Sequence, residues 1–165
     1  METERLIFRP MVDTDKYDFH EIFSCAGVGA FIKPMTIDQV EKYFEKRKLK
    51  PLNPFSFAVV LKENSKMIGT IGLKTKDPKV GVLSYVFNDK YWNQGYCSES
   101  IKFILDHAKD WGFDKIIADC EITNEKSQHL LEKFNFNFIK KESDGFINHN
   151  TNEPTEFCFY SLEIV

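Results

Sequence analysis

The run Tyr91-Trp92-Asn93-Gln94-Gly95-Tyr96-Cys97-Ser98-Glu99-Ser100 joins a strand-like segment, Val80 to Phe87, to a helix-like one, Ile101 to Trp111. A tight turn feeding a helix start offers backbone N–H groups that have no intrahelical carbonyl, and the helix dipole favours negative charge there. Gly95 lets the main chain approach a ligand closely. Strand, glycine turn and helix together predict a cradle for a pyrophosphate.

The rest of the chain is compatible with one domain and a sizeable core, at 165 residues, 42% hydrophobic and 28% charged. Sixteen Phe residues supply large buried area, with a few available to line a cleft. A formal net charge of -3 speaks against a nucleic-acid binder that depends on neutralising phosphates. No apolar run approaches the ~20 residues that span a bilayer. Met1-Glu2-Thr3-Glu4-Arg5 does not lead into a signal-peptide core, so a cytoplasmic location is expected. Cys25, Cys97, Cys120 and Cys158 form no CxxC pair, and His20, His107, His129 and His149 do not cluster with them. Buried free thiols are expected rather than a zinc site.

Leu6 to Arg9 reads as a first strand, and Asp13 and Asp15 as caps of a helical region reaching Phe23. Ser24 to Pro34 reads as looser chain. Thr36 reads as an N-cap, with Val40, Tyr43 and Phe44 at helical spacing through about Arg47. Pro51 and Pro54 break the chain. Phe55 to Leu61, Met67 to Leu73 and Val80 to Phe87 read as an antiparallel meander, with turns at Lys62 to Lys66 and at Lys76 to Lys79. Beyond the glycine turn, Ile101, Ile104, Leu105 and Ala108 make one apolar stripe, which Gly112 can end. Ile116 to Ile122 returns as a strand, in parallel pairing with the strand before the helix. Asn124 to Lys133 reads as a short helix with Leu130, Leu131 and Phe134 inward. Phe136 to Lys140 and Phe157 to Leu162 are closing strands, and Asp144 to Thr155 is a polar loop. The sum is an α/β domain with a mixed, largely antiparallel sheet flanked by helices. The alternating series of a doubly wound nucleotide fold is missing, and the glycine turn comes too late for a nicotinamide-dinucleotide site.

This order resembles the GCN5-related N-acetyltransferases (GNAT), and most of all the branch that acetylates protein N-terminal amines in bacterial ribosomes. Thr3 to Pro10 is similar to that branch's opening strand, and Met67-Ile68-Gly69-Thr70-Ile71-Gly72-Leu73 to its central hairpin strand. Tyr91 to Glu99 resembles its acyl-CoA pyrophosphate loop, Asn124-Glu125-Lys126-Ser127 its Asn-x-x-Ser element, and Tyr160-Ser161-Leu162 its last strand. Three positions depart from the family pattern. Trp92 and Cys97 replace commoner residues of the turn. Asn135 stands where Gly is common, and Asn tolerates left-handed geometry.

The resemblance implies that acetyl-CoA is the co-substrate. Backbone groups around Gln94, Gly95, Tyr96, Cys97 and Ser98 would hold its diphosphate, with Trp92 alongside. A splayed bulge over Ser84, Tyr85, Val86 and Phe87 would hold the pantetheine arm, and Asn124 is a further contact. Direct attack by a primary amine needs no protein nucleophile, so Cys97 is read as packing. Ser127 is placed by resemblance at the leaving thiolate, which benefits from a hydrogen bond. Asn124 is read equally as the cap of the helix it precedes. Glu121 is the candidate general base, and Glu99 reads as a first-turn helix stabiliser. Phe31, Tyr43 and Phe44 are read as core or as acceptor-pocket wall, and Gly145 to Thr151 as a cover on the acceptor side.

The acceptor implied is an amine: a protein N-terminus, as of a ribosomal protein, or a polyamine, antibiotic or metabolite amine. A non-catalytic acyl-CoA-binding or sensing module is the competing reading. Neither nucleic acid nor membrane is an expected partner, and exposed aromatic edges are compatible with a homodimer.

Overall fold

The protein is described by a computed structural model that covers residues 1–49, 53–143 and 145–165. The break expected at Pro51 and the start of the polar loop at Asp144 lie outside the described residues. Seven strands form one sheet in the order β1-β2-β3-β4-β5-β7-β6. They are β1 Leu6–Arg9, β2 Ser56–Leu61, β3 Met67–Asp77, β4 Val80–Phe87, β5 Lys115–Glu121, β6 Asn137–Glu142 and β7 Phe157–Glu163. The helices are α1 Lys16–Ser24, α2 Ala26–Gly29, α3 Ile37–Lys48, α4 Tyr96–Ala108 and α5 Glu125–Lys133. The sheet is mostly antiparallel with one parallel pair, β4 with β5, as the strand–helix–strand order requires. The chain divides into two compact units.

The first unit comprises Met1–Gly72 and Tyr85–Ile101. Its strands β1 and β2 pair antiparallel from Leu6↔Leu61 to Arg9↔Ala58, and β2 pairs with the start of β3 from Ser56↔Gly72 to Val60↔Met67. The core joins α1 and α3 to these strands through Phe19, Ile22, Val40, Phe44, Ala58, Val60 and Met67. Each fully buried large side chain there contributes about 1.5–3 kcal/mol relative to exposure. Thr36 caps α3 as its sequence position predicts: its hydroxyl accepts from the Gln39 amide, and the Gln39 side chain accepts from the Thr36 amide. Phe44 is core, and Tyr43 is partly exposed while stacking on Phe19 at 5.1 Å.

Asp13 and Asp15 do not act as expected. They form a short 3-10 turn, Asp13–Asp15, ahead of α1. Asp15 is buried, accepts the Val12 amide at 2.8 Å and takes both guanidinium nitrogens of Arg9 at 2.7 Å. A buried carboxylate gains more from a bidentate Arg than from capping. The looser segment after Ser24 contains one further helical turn, α2.

The second unit comprises Leu73–Ser84 and Lys102–Val165. Strand β3 continues to Asp77, four residues past Leu73, because polar Lys74 to Asp77 still occupy strand positions. β5 pairs with β7 along its whole length, Lys115↔Glu163 to Glu121↔Phe157, and β7 also pairs with β6. Gly81 leaves room for Phe113, since a Cβ there would lie 3.2 Å from that ring. The chain leaves α4 through Gly112 at φ +89°, with the Phe113 amide donating to the Ala108 carbonyl. Asn135 takes φ 61° in the turn before β6, the left-handed geometry that Asn tolerates. Cys120 and Cys158 are buried free thiols. In the first unit, Cys25 and Cys97 are only half-buried. Among the described residues no helix is long and apolar enough to cross a membrane.

Candidate active site

In the first unit the glycine turn is held from three sides. Asn93 at φ 60° and Gly95 at φ +83° swing the chain from the 3-10 turn Asp89–Tyr91 into α4. The helix starts at Tyr96, five residues before the apolar stripe that announces it in the sequence. The Glu99 amide donates to the Gly95 carbonyl at 2.9 Å, and the amides of Tyr96, Cys97 and Ser98 lie in the first turn of α4. The Gln94 side chain donates back to the Lys90 carbonyl and closes the turn. Trp92 ties the turn to the end of β4, its indole N–H donating to the Phe87 carbonyl at 2.8 Å. Gly27 makes room for that indole, since a Cβ there would fall 2.8 Å from it. The Gly27 amide donates to Asp89.

The third support comes from the opening strand. Glu99 accepts from the Thr3 hydroxyl at 2.6 Å, from the Arg5 amide at 3.1 Å and from Arg5 Nε at 2.7 Å. The Arg5 guanidinium also donates to the Gln94 carbonyl at 2.9 Å and lies 4.3 Å from the centre of the Tyr96 ring. A Cβ on Gly95 would lie 3.2 Å from Arg5 Nη2. Burial pushes the Glu99 carboxyl up, but the hydrogen bonds from Thr3 and Arg5 outweigh it and leave the group below its ordinary range. Glu99 is thus an ionised anchor that fixes a cation at the glycine turn. Sequence reasoning missed Arg5. Its only signal is a cation just before the opening strand, no more conspicuous than Arg9, and nothing local links it to a turn 89 residues away.

Burial pushes the Cys97 thiol well above its ordinary range, which agrees with packing and not with a nucleophilic thiolate. At the end of β4, Tyr85 and Val86 are half-buried, Val86 packs against the first core cluster, and Phe87 is buried. Gly69 gives that segment its clearance: a Cβ would meet the Val86 carbonyl and the Phe87 ring at 2.7 Å. Phe87 is therefore a core side chain that offers a ligand only its backbone.

In the second unit the parallel β4·β5 ladder runs from Val80↔Lys115 to Val82↔Ile117 and stops before Ser84, which is exposed. Glu121, Asn124 and Ser127 are gathered by the turn from β5 into α5. The Asn124 amide donates to the Glu121 carbonyl at 2.8 Å. Asn124 caps α5, its side-chain oxygen accepting the Ser127 amide at 3.2 Å. The Ser127 hydroxyl hydrogen-bonds the thiol of Cys120, which burial nonetheless pushes up to about 11. Glu121 is 6% exposed, and its Oε1 accepts from the Thr123 hydroxyl at 2.9 Å and from Asn148 at 2.7 Å. Asn148 lies in the loop expected to cover the acceptor side. It escaped sequence reasoning because nothing in a polar loop marks the one side chain that turns inward. Oε2 of Glu121 takes no hydrogen bond from the described residues.

The first unit has the chemistry an acyl-CoA diphosphate needs: a helix start, a positive-φ glycine and a fixed guanidinium. A model described as the acetyltransferase (GNAT) domain matches residues 5–137. An uncharacterized N-acetyltransferase, YnaD of Bacillus subtilis, is 28% identical over 144 residues, 84% of this chain and 85% of that protein. A GNAT-family acetyltransferase structure from Bacillus anthracis aligns with TM-score 0.85 at 24% identity over 99% of this chain and 97% of its own. Two others align with TM-score 0.81. One is spermidine N-acetyltransferase from Vibrio cholerae in complex with CoA and spermine, at 15% identity over 98% and 97% of the two chains. The other is the Salmonella typhimurium enzyme that modifies the N-terminal serine of ribosomal protein L7/L12, at 12% over 99% and 97%. At these identities the structural likeness is one of fold.

Proposed function

We propose that this chain, which belongs to the GNAT acetyltransferase family, moves an acetyl group from acetyl-CoA to a primary amine by direct attack in a ternary complex. The observation that carries the reading is the turn at Gly95, where the first amides of α4 and the Arg5 guanidinium, fixed by Glu99, meet. Acetyl-CoA supplies an activated thioester, and the chain supplies position and proton handling. The turn amides and Arg5 bind the diphosphate. The end of β4, from Ser84 to Phe87, offers main-chain groups to the pantetheine arm. Trp92 supports the turn from beneath.

Proton handling falls to the residues around the start of α5. The Ser127 hydroxyl donates a hydrogen bond to the departing thiolate, while Asn124 holds that turn in shape. Glu121, with Oε1 fixed by Thr123 and Asn148, takes the amine proton at Oε2, directly or through water.

The acceptor we favour is a protein N-terminal amine. The ribosomal-protein enzyme among the solved structures supports that choice, and the spermidine enzyme makes polyamine acetylation the reading to test against it. A mass-spectrometric screen of peptides, polyamines and aminoglycosides with acetyl-CoA separates them. Acetylated peptide supports the proposal. Acetyl-CoA binding without any product supports a binding module instead.

A further inference from the structure

We infer that the cavity on the open face of the second unit selects acceptor amines that also carry a carboxylate, and rejects polycationic amines; this rests on the acetyltransferase reading above. The cavity, about 530 Å³, is lined by Lys74, Lys76, Val82, Ile117, Asp119 and Phe159 among others. That volume suits a small ligand or the first residues of a peptide.

The face is set by strand alternation. Ile117, Asp119 and Glu121 point to the same side of β5, because side chains two apart share a face. Phe159 stands directly opposite Asp119, and Phe157 opposite Glu121. The cavity therefore adjoins the carboxylate proposed to receive the amine proton. Its floor, Val82, Ile117 and Phe159, is apolar. Phe146 lies beside it, its ring tilted against Phe157 at 4.3 Å and 6.4 Å from the ring of Phe159.

The charges around this floor are of two kinds. Lys115 is paired with Glu163 and Lys140 with Glu142, each at 2.7 Å. Lys74, Lys76 and Asp119 make no ion pair among the described residues. Desolvation by the walls pushes the Asp119 carboxyl upward, so it gains from a bound cation. A ligand that complements these three groups places an ammonium by Asp119 and acid by Lys74 and Lys76. An amine with one or two nearby carboxylates does this, as in an acidic peptide N-terminus or an acidic amino acid. Spermidine would set further ammonium groups against two lysines, at a cost on the order of tenfold in affinity for each such contact.

The test compares alanyl-glutamate, alanyl-lysine, free glutamate and spermidine as acceptors for the full chain with acetyl-CoA. The expected kcat/KM for alanyl-glutamate exceeds those for alanyl-lysine and spermidine by about tenfold or more. The exposed double variant Lys74→Glu with Lys76→Glu reverses that order. Free glutamate matching alanyl-glutamate would assign the site to an amino acid, and a clear lag would assign it to a peptide. Preference for spermidine or alanyl-lysine in the native protein, or an order unmoved by charge reversal, overturns the inference. Calorimetric titration of the same four compounds keeps the two proposals apart. If no amine is acetylated but alanyl-glutamate still binds selectively, and that selectivity reverses in the double variant, the cavity inference stands and the catalytic reading fails. Binding that does not discriminate overturns it.

Discussion

Arg5 Nε lies 2.7 Å from Glu99 Oε2, joining residues 94 positions apart and fixing the entry to β1 against the first turn of α4. The pair is partly exposed, at 42% for Arg5 and 17% for Glu99, so its direct contribution to stability is small. Its larger consequence is positional, because it aims a guanidinium at the glycine turn. Glu99→Gln should therefore lower stability by less than about 1 kcal/mol and yet weaken acetyl-CoA binding several-fold. Denaturant melts paired with calorimetry check this. An unchanged affinity would mean that Arg5 is not part of the diphosphate site.

Gly95→Val combines two penalties. A left-handed backbone costs a β-branched residue roughly 1–2 kcal/mol, and the new side chain crowds the Arg5 guanidinium. The variant should stay folded and bind acetyl-CoA at least tenfold more weakly, as read by calorimetry after circular dichroism has confirmed the fold. Native affinity in a folded variant counts against the turn as the diphosphate site.

Ser127→Ala keeps the amide that Asn124 caps and removes only the hydroxyl. Turnover should fall by about tenfold or more, with acetyl-CoA affinity nearly unchanged. Steady-state kinetics equal to the native protein would remove Ser127 from the chemistry.

Glu21 gives a prediction about pH. Hydrogen bonds from Lys66, Lys90 and Asn88 hold its carboxyl down at about 2, from an ordinary 4.5. A folded pKa below the unfolded one contributes stability that is full above the unfolded value and is lost as pH falls through the folded value. Glu21→Gln should therefore be less stable than the native protein above pH 5, by about 1 kcal/mol once solvent screening is allowed for. The gap should close between about pH 4.5 and 2. A gap that persists at pH 2 would mean that the carboxylate's charge is not what stabilises this cluster.

Much of the fold was legible because its signals are local. β1 and β4 are apolar-rich runs that end before Pro10 and Asn88, and Thr36 caps α3 through a residue three positions away. The apolar stripe of α4 begins at Ile101 although the helix begins at Tyr96, because its first turn, Tyr96 to Ser100, is largely polar; Glu99 is the residue that marks that turn in the sequence. Lys76 and Asp77 read as turn from their polarity and belong to β3, because a strand end that faces solvent need not alternate. In the candidate site, Gly95, Asn124 and Ser127 stand in recognisable motifs, and Glu121 is marked only by its place on the strand before α5. Arg5 and Asn148 have no such mark, since each acts through a contact that only the folded chain creates.

The proposed reaction passes acetyl from acetyl-CoA to an amine bound by this chain. Mass spectrometry of a reaction containing the protein, acetyl-CoA and an acidic dipeptide tests it most directly, with Ser127→Ala run alongside. The expected result is dipeptide carrying one added acetyl group, released CoA in equal amount, and both slowed in the variant. Acetyl-CoA that binds but is never consumed, across acidic, basic and polyamine acceptors, would contradict it.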